Sequence, residues 1–292
     1  MSAFVTGSTI SSAWVNALEH VLGSPGRVVT NLMVTVEAPQ EGAHSGATVV
    51  VEHALRQRGM QGVLTVASTI FPKSLYNHPG FDFAPELPSE AVANLDSAAE
   101  ELYEAYRDSL PLLRSSNANN RRGTYFSRMI SWPGKDSAGF NQLDRRVTAL
   151  RRERELGKKV SNMSDIAIAG EADQLLGGVG GSLEEYSVTD TRTQGFPCLV
   201  HIDISVNAGR LSILAVYRSW HLLTRGYGNL IGLARLQAFL AHQTGYEPGE
   251  LAVVAGHADP ECNVYGGLTG LSAILGDVQS ALETCSPRGA AT

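Results

Sequence analysis

Four side chains toward the C-terminal end of this sequence have the types needed to hold and attack a phosphorylated ring. They are the thiol of Cys198, the guanidinium of Arg218, the hydroxyl of Ser219 and the amide of Asn229. A thiolate is a strong nucleophile once its pKa falls, and a neighbouring cation lowers it. Arg218-Ser219 sets a planar fork beside a hydroxyl, a combination suited to a phosphate monoester. Asn229 offers a donor and an acceptor side by side, which matches a ring carbonyl next to a ring N–H. Each also has a plainer reading: a small buried hydrophobe for Cys198, a surface ion pair for Arg218, a helix N-cap for Asn229.

Whether these groups can meet depends on the elements that carry them. Residues 199–206 read as a strand, Asn207-Ala208-Gly209-Arg210 as a turn and residues 211–217 as a second strand, so the pair forms a hairpin that returns Arg218 toward Cys198. Residues 229–243 have Leu230, Leu233, Ala234 and Leu240 at helical spacing, with Gly245 placed to end the helix. A short strand over 251–255 leads to Gly256-His257-Ala258-Asp259, where polar groups gather again.

Upstream, the pattern predicts a helix over 11–22 capped by Ser11-Ser12, a strand over 28–36, a helix over 45–58 and a buried strand over 62–70. An ordered loop over 71–87 precedes a helix over 89–113, a polar loop over 115–122, an aromatic segment over 125–132 and a basic amphipathic helix over 140–156. Residues 170–190, with Gly177-Gly178-Val179-Gly180-Gly181, read as a surface insertion. They lack the lysine and the glycine spacing of a phosphate-binding loop. No repeat and no clear linker interrupts the chain, so residues 1–292 are expected to form one domain ending in a flexible tail over 283–292.

Composition sets the frame. The chain has 292 residues, 43% hydrophobic and 18% charged, enough for a sizeable core. A net charge of −6 gives no general attraction to nucleic acid. Cys198, Cys262 and Cys285 are too few and too scattered for a disulfide framework, and show no zinc-type pairing. With neither a signal peptide nor a membrane span in the pattern, the expected location is the cytoplasm.

Taken together, the order Pro197-Cys198, strand, turn, strand ending in Tyr217-Arg218-Ser219, then Asn229 on the next helix, resembles the thymidylate synthase superfamily. The likeness is strongest over 195–263, which overlays the family pattern without a gap. Gly123-Thr124-Tyr125-Phe126-Ser127-Arg128, Asn141-Gln142-Leu143 and Lys158-Lys159 are similar to further family segments. The resemblance implies an α+β fold, a large twisted mixed sheet packed against helices, and a homodimer formed through that sheet. It implies an enzyme in which Cys198 adds to C6 of a pyrimidine nucleoside monophosphate. C5 then takes a one-carbon unit from 5,10-methylenetetrahydrofolate. Arg218 and Ser219 would hold the phosphate, with Lys158 and Lys159 reaching it from a second subunit. Asn229 would read the base, Tyr125 and Asp259 would contact the nucleotide, and His221 and Trp132 would meet the folate.

Departures from the family pattern shape the expectation. Leu199 stands where the family has histidine, His221 where it has aspartate, and Gly226-Tyr227-Gly228 where it has Leu-Pro-Phe. The His and Tyr that hold the sugar fall on Asp259 and Glu261, which leaves a ribonucleotide open. The chain stops soon after Leu282, before the family's closing segment; admitting water would favour a hydroxymethyl product over methyl. Asn229 leans toward uracil over cytosine. No general base is evident, with Glu86, Glu90 and Glu104 as candidates. A repurposed family member acting on another acceptor, and a nucleotide-binding protein without catalysis, are the competing readings.

Overall fold

The computed structural model describes residues 2–77, 87–116, 120, 123–132, 139–157, 165–167 and 198–284. Lys158, Lys159, Glu86, Pro197, Cys285 and the glycine-rich stretch of 170–190 lie outside the described residues. The elements are β1 (Ala3–Gly7), α1 (Ile10–Gly23), β2 (Val29–Val36), α2 (Ser45–Arg56), α3 (Val63–Ile70), α4 (Ser89–Ser116), α5 (Tyr125–Ile130), α6 (Gln142–Leu156), β3 (Asp165–Ala167), β4 (Leu199–Asn207), β5 (Arg210–His221), α7 (Tyr227–Thr244), β6 (Glu247–Asp259) and α8 (Gly267–Thr284). Among the described residues no helix is long and apolar enough to cross a membrane.

The architecture is the expected mixed sheet against helices. Six strands run in the order β1-β2-β6-β5-β4-β3, with β1∥β2 and β5∥β6 and the remaining neighbours antiparallel. Both parallel pairs need a crossover. The helix α1 provides one between β1 and β2, and α7 provides the other between β5 and β6. On β5 the residues Leu211, Ile213, Ala215 and Tyr217 are buried, and they alternate with the less buried Ser212, Leu214 and Val216. That period of two is the mark of a sheet with one face against the core.

The core is organised around α7. It is buried on all sides, including Leu230, Leu233, Leu236, Phe239 and Leu240. Gln237, with no exposed surface, donates from Nε2 to the carbonyls of Leu211 (2.8 Å), Gly249 (3.1 Å) and Glu250 (3.1 Å). These carbonyls flank the register shift between β5 and β6, so one buried amide pins the irregular start of that pair. Gly245 ends the helix in the left-handed region at φ 70°, as its position predicts.

One element departs in kind. Residues 62–70 form the helix α3, not a strand, with Val63, Val66, Ala67 and Ile70 buried at helical spacing. The reason lies on α7. A Cβ on Gly228 would sit 2.7 Å from the Val63 carbonyl and from Val66 Cβ, and one on Gly232 would sit 2.7 Å from the Ala67 carbonyl. Two glycines four residues apart cut a notch into which α3 packs at backbone distance. Smaller differences follow: Thr9, not Ser11, caps α1 in a reciprocal pair with Ser12, and β6 runs thirteen residues instead of five. The strand β1 and the helix α8 have no counterpart in the sequence reading.

Replacing Gly232 by Ala should therefore lower stability by about 1–3 kcal/mol through overpacking. A denaturation midpoint equal to wild type in urea unfolding would show that α3 does not depend on this close approach.

Candidate active site

Hairpin geometry decides where the thiol goes. Ala208 and Gly209 both take positive φ (49° and 78°), the conformation of a tight two-residue turn matched to strand twist. From there β4 and β5 pair residue by residue until one extra β4 residue interrupts the register between Leu199 and His201. Bulges of this kind re-aim side chains beside functional sites. Beyond it Leu199 faces Tyr217, and the Arg218 backbone N–H donates to the Cys198 carbonyl at 2.9 Å. Cys198 and Arg218 are thus opposite one another at the mouth of the hairpin.

Two phenols and a second guanidinium join them. Thr124 caps the short helix α5 in a reciprocal pair with Ser127, which fixes Tyr125 at the helix start. The Leu199 backbone N–H donates to the Tyr125 hydroxyl in a long bond of 3.5 Å. Tyr217 is buried from the neighbouring strand, and its hydroxyl has no hydrogen-bond partner among the described residues. Arg225 comes from a π-helical turn, Leu222–Gly226, that joins β5 to α7. Its guanidinium is tethered by a short hydrogen bond to Gln61 Oε1, just ahead of α3.

The electrostatics follow from this crowding. Burial raises the Cys198 thiol above its ordinary pKa, and the Arg218 and Arg225 charges pull it back in part. Tyr125 is pushed up to about 12, mainly by burial and next by the neighbouring thiol, against the opposing amides of Leu199 and Cys198 and the Arg225 charge. Tyr217 lies well above its ordinary value for the same first reason, reinforced by Tyr125 and Cys198. The thiol is therefore protonated at neutral pH. Both guanidiniums act toward releasing that proton.

The remaining candidates are distributed around this centre. Ser219 is half-buried and stands in register with His257 of β6. Asn229 does not open the helix: α7 begins at Tyr227, and Gly226, where a cap would sit, already has helical φ −56°. Asn229 is 3% exposed within α7. Asp259 pairs in register with His221, and its Oδ1 accepts from the Glu261 N–H at 2.7 Å. Glu261 in turn accepts from the Thr224 N–H (2.9 Å) and hydroxyl (2.7 Å). These contacts engage both oxygens of Glu261 and one oxygen of Asp259.

Trp132 is 3% exposed, with its backbone paired to Phe140, so its ring presents almost no open face. Glu90 and Glu104 lie exposed on α4, as solvated surface acids do. Arg225, Gln61 and Thr224 carry no role in the sequence reading. The one available signal was a charged residue, Arg225, set in an otherwise apolar and glycine-rich run before Asn229.

No protein-family model matches the chain. Over 64 residues it is 33% identical to a protein of Methanothermobacter marburgensis named "Putative thymidylate synthase", and 31% identical to one of the same name from Methanothermobacter thermautotrophicus. The matched stretch is 22% of this chain and 29% of each relative, so the chain spans under a third of the length of the curated proteins it matches. The likeness is to thymidylate synthase-like proteins and is partial.

The raised thiol predicts a specific reactivity. Alkylation of Cys198 by iodoacetamide should keep accelerating at pH values where an ordinary cysteine has levelled off, because the thiolate forms only at higher pH. Arg225→Gln, which removes one stabilising charge, should slow that alkylation several-fold at pH 8 while Cys262 reacts as before. Equal Cys198 rates in the two proteins would place Arg225 out of electrical reach of the sulfur.

Proposed function

We propose that this protein transfers a one-carbon unit to C5 of a pyrimidine nucleoside monophosphate through a covalent adduct between Cys198 and C6. The observation that carries this reading is the Cys198 thiol at the hairpin mouth, opposite Arg218 and within the field of Arg225. The partial likeness to proteins named as thymidylate synthases supports it.

The chemistry can be followed from the chain's own groups. Arg218, with Ser219 beside it, supplies a fork and a hydroxyl for a phosphate, and Arg225 adds a second cation. Lys158 and Lys159 join them from a second subunit. Asn229 brings a buried amide, suited to pair with the carbonyl and N–H edge of a uracil-type ring. Attack of the soft thiolate on C6 breaks the ring's conjugation and makes C5 a carbon nucleophile, which a neutral pyrimidine otherwise is not. Tyr125, close to Cys198, is held protonated by burial and is positioned as a hydrogen-bond donor at that end of the site.

5,10-Methylenetetrahydrofolate supplies the one-carbon unit when bound. The chain fits it in part: His221 offers an imidazole 44% exposed, whereas buried Trp132 offers no stacking face. Asp259 contributes its second carboxylate oxygen toward the nucleotide.

The sheet supports a homodimer. Phe4, Met33, Val254 and Val216 stand in register across β1, β2, β6 and β5, on the face opposite the buried core positions. Phe4 is 62% exposed. An apolar row of this kind is suited to a second copy of the chain.

The test is direct. Incubated with formaldehyde, tetrahydrofolate and a panel of UMP, dUMP, CMP and dCMP, the protein should add mass to one nucleotide and release tritium from its C5-labelled form. Cys198→Ala should abolish both while nucleotide binding persists. Unchanged turnover in that variant would refute the covalent mechanism, and binding without any tritium release from wild type would favour the non-catalytic reading.

A further inference from the structure

A second titratable cluster sits where β5 and β6 end, apart from the thiol. His221 and Asp259 are register partners there, and Glu261 follows two residues later. Glu261 takes φ 64°, a left-handed conformation that is strained for a residue with a side chain. Three hydrogen bonds hold it in place. Its own N–H donates to Asp259 Oδ1, and its carboxylate accepts both the Thr224 N–H and the Thr224 hydroxyl. Thr224 can present both groups because it lies in the π turn, where the regular helical ladder is displaced.

The result is a carboxylate only 12% exposed, with Oε1 3.7 Å from His221 Nδ1. That nitrogen is buried and has no hydrogen-bond partner among the described residues, while the side chain as a whole is 44% exposed. A half-exposed imidazole whose Nδ1 lies at ion-pair distance from a fixed carboxylate is suited to act as a general base, because that charge stabilises the imidazolium formed on proton transfer. Strained backbone, a π turn and an anchored acid converge on this one ring.

We propose that His221 and Glu261 form a proton-transfer dyad: Glu261 positions the imidazole, and Nε2 deprotonates the water that completes a hydroxymethyl product. This inference rests on the reading of the Cys198 site given above. In the step, a water proton passes to Nε2 as the water oxygen bonds to the exocyclic methylene carbon on C5. The methylene π pair moves into the ring as an enolate. The enolate then re-forms the C5–C6 double bond and expels Cys198 Sγ as thiolate, leaving the proton on the imidazolium beside Glu261. The carbon enters and leaves at the oxidation level of formaldehyde, so no oxidant or reductant takes part. Half-exposure suits the assignment, since this ring reaches water while Tyr217 is buried.

The experiment uses the full chain as wild type, His221→Gly and Glu261→Gln, with the same nucleotide panel, formaldehyde and tetrahydrofolate. His221→Gly should lose hydroxymethyl product by about a hundredfold or more yet still release C5 tritium, and free imidazole should restore part of the product. Glu261→Gln keeps an oxygen for Thr224 and should stay folded by thermal melting. It should lower kcat about tenfold with the nucleotide KM unchanged, and shift the 15N resonances of the His221 ring as the neighbouring negative charge is lost. Wild-type product rates in His221→Gly, a loss that imidazole does not repair, or Glu261→Gln with unaltered kcat and ring resonances would each overturn the dyad. A wild-type enzyme that releases tritium but yields only the methyl product would overturn the dyad and leave the one-carbon reading standing. One that neither releases tritium nor alters any pyrimidine would overturn both.

Discussion

The burial of α7 on every side is the constraint from which the rest of the structure follows. A helix without a solvent face must find packing on the sheet and on its opposite flank at once. Gly228 and Gly232 let α3 supply the second flank at backbone distance. Because β5 and β6 are parallel neighbours, α7 is also the crossover between them. Its position therefore sets the ends of both strands. Arg218, Ser219, His221, Arg225, Asn229 and Asp259 all lie on this one continuous unit of strand, turn, helix and strand, and Glu261 follows just after it. The core and the candidate site are two faces of the same packing solution.

The π turn ahead of α7 links these two roles. It directs Thr224 toward Glu261 and Arg225 toward Gln61 and the field of Cys198, so adjacent residues serve two clusters. A regular helical start would offset neighbouring residues by about 100° around the axis and place them differently. Around the thiol, burial and charge act in opposite senses. Burial favours the neutral thiol, and the two guanidiniums favour the thiolate without overcoming burial. A nucleophile held in that balance is protected from adventitious oxidants and responds to a ligand that changes its surroundings.

Much of the C-terminal unit was legible in the residue pattern. Asn207-Ala208-Gly209-Arg210 reads as a turn, and the strands beside it alternate with period two, so the meeting of Cys198 and Arg218 follows from counting along the hairpin. Gly245 marks its helix end correctly. Residues 62–70 read as a strand because nine residues rich in Val, Thr and Ile fit a buried strand as well as a short helix. Only the notch of Gly228 and Gly232, far off in sequence, separates the two. The five residues of β1 show no periodicity of their own, and they become a strand by pairing with β2.

By itself, the sequence determined the mixed α+β character, the hairpin that opposes thiol and guanidinium, and the helix that follows, since each depends on periodicity and turn chemistry within some twenty residues. Tertiary structure alone decided that α3 is a helix, that Arg225 joins the thiol's surroundings, that Asn229 is buried within its helix instead of capping it, and that Glu261 faces His221. Those outcomes depend on close approaches between segments distant in the chain and on one π turn whose geometry no local pattern encodes. Side-chain distances of a few ångströms are set by packing, and packing is a property of the whole fold.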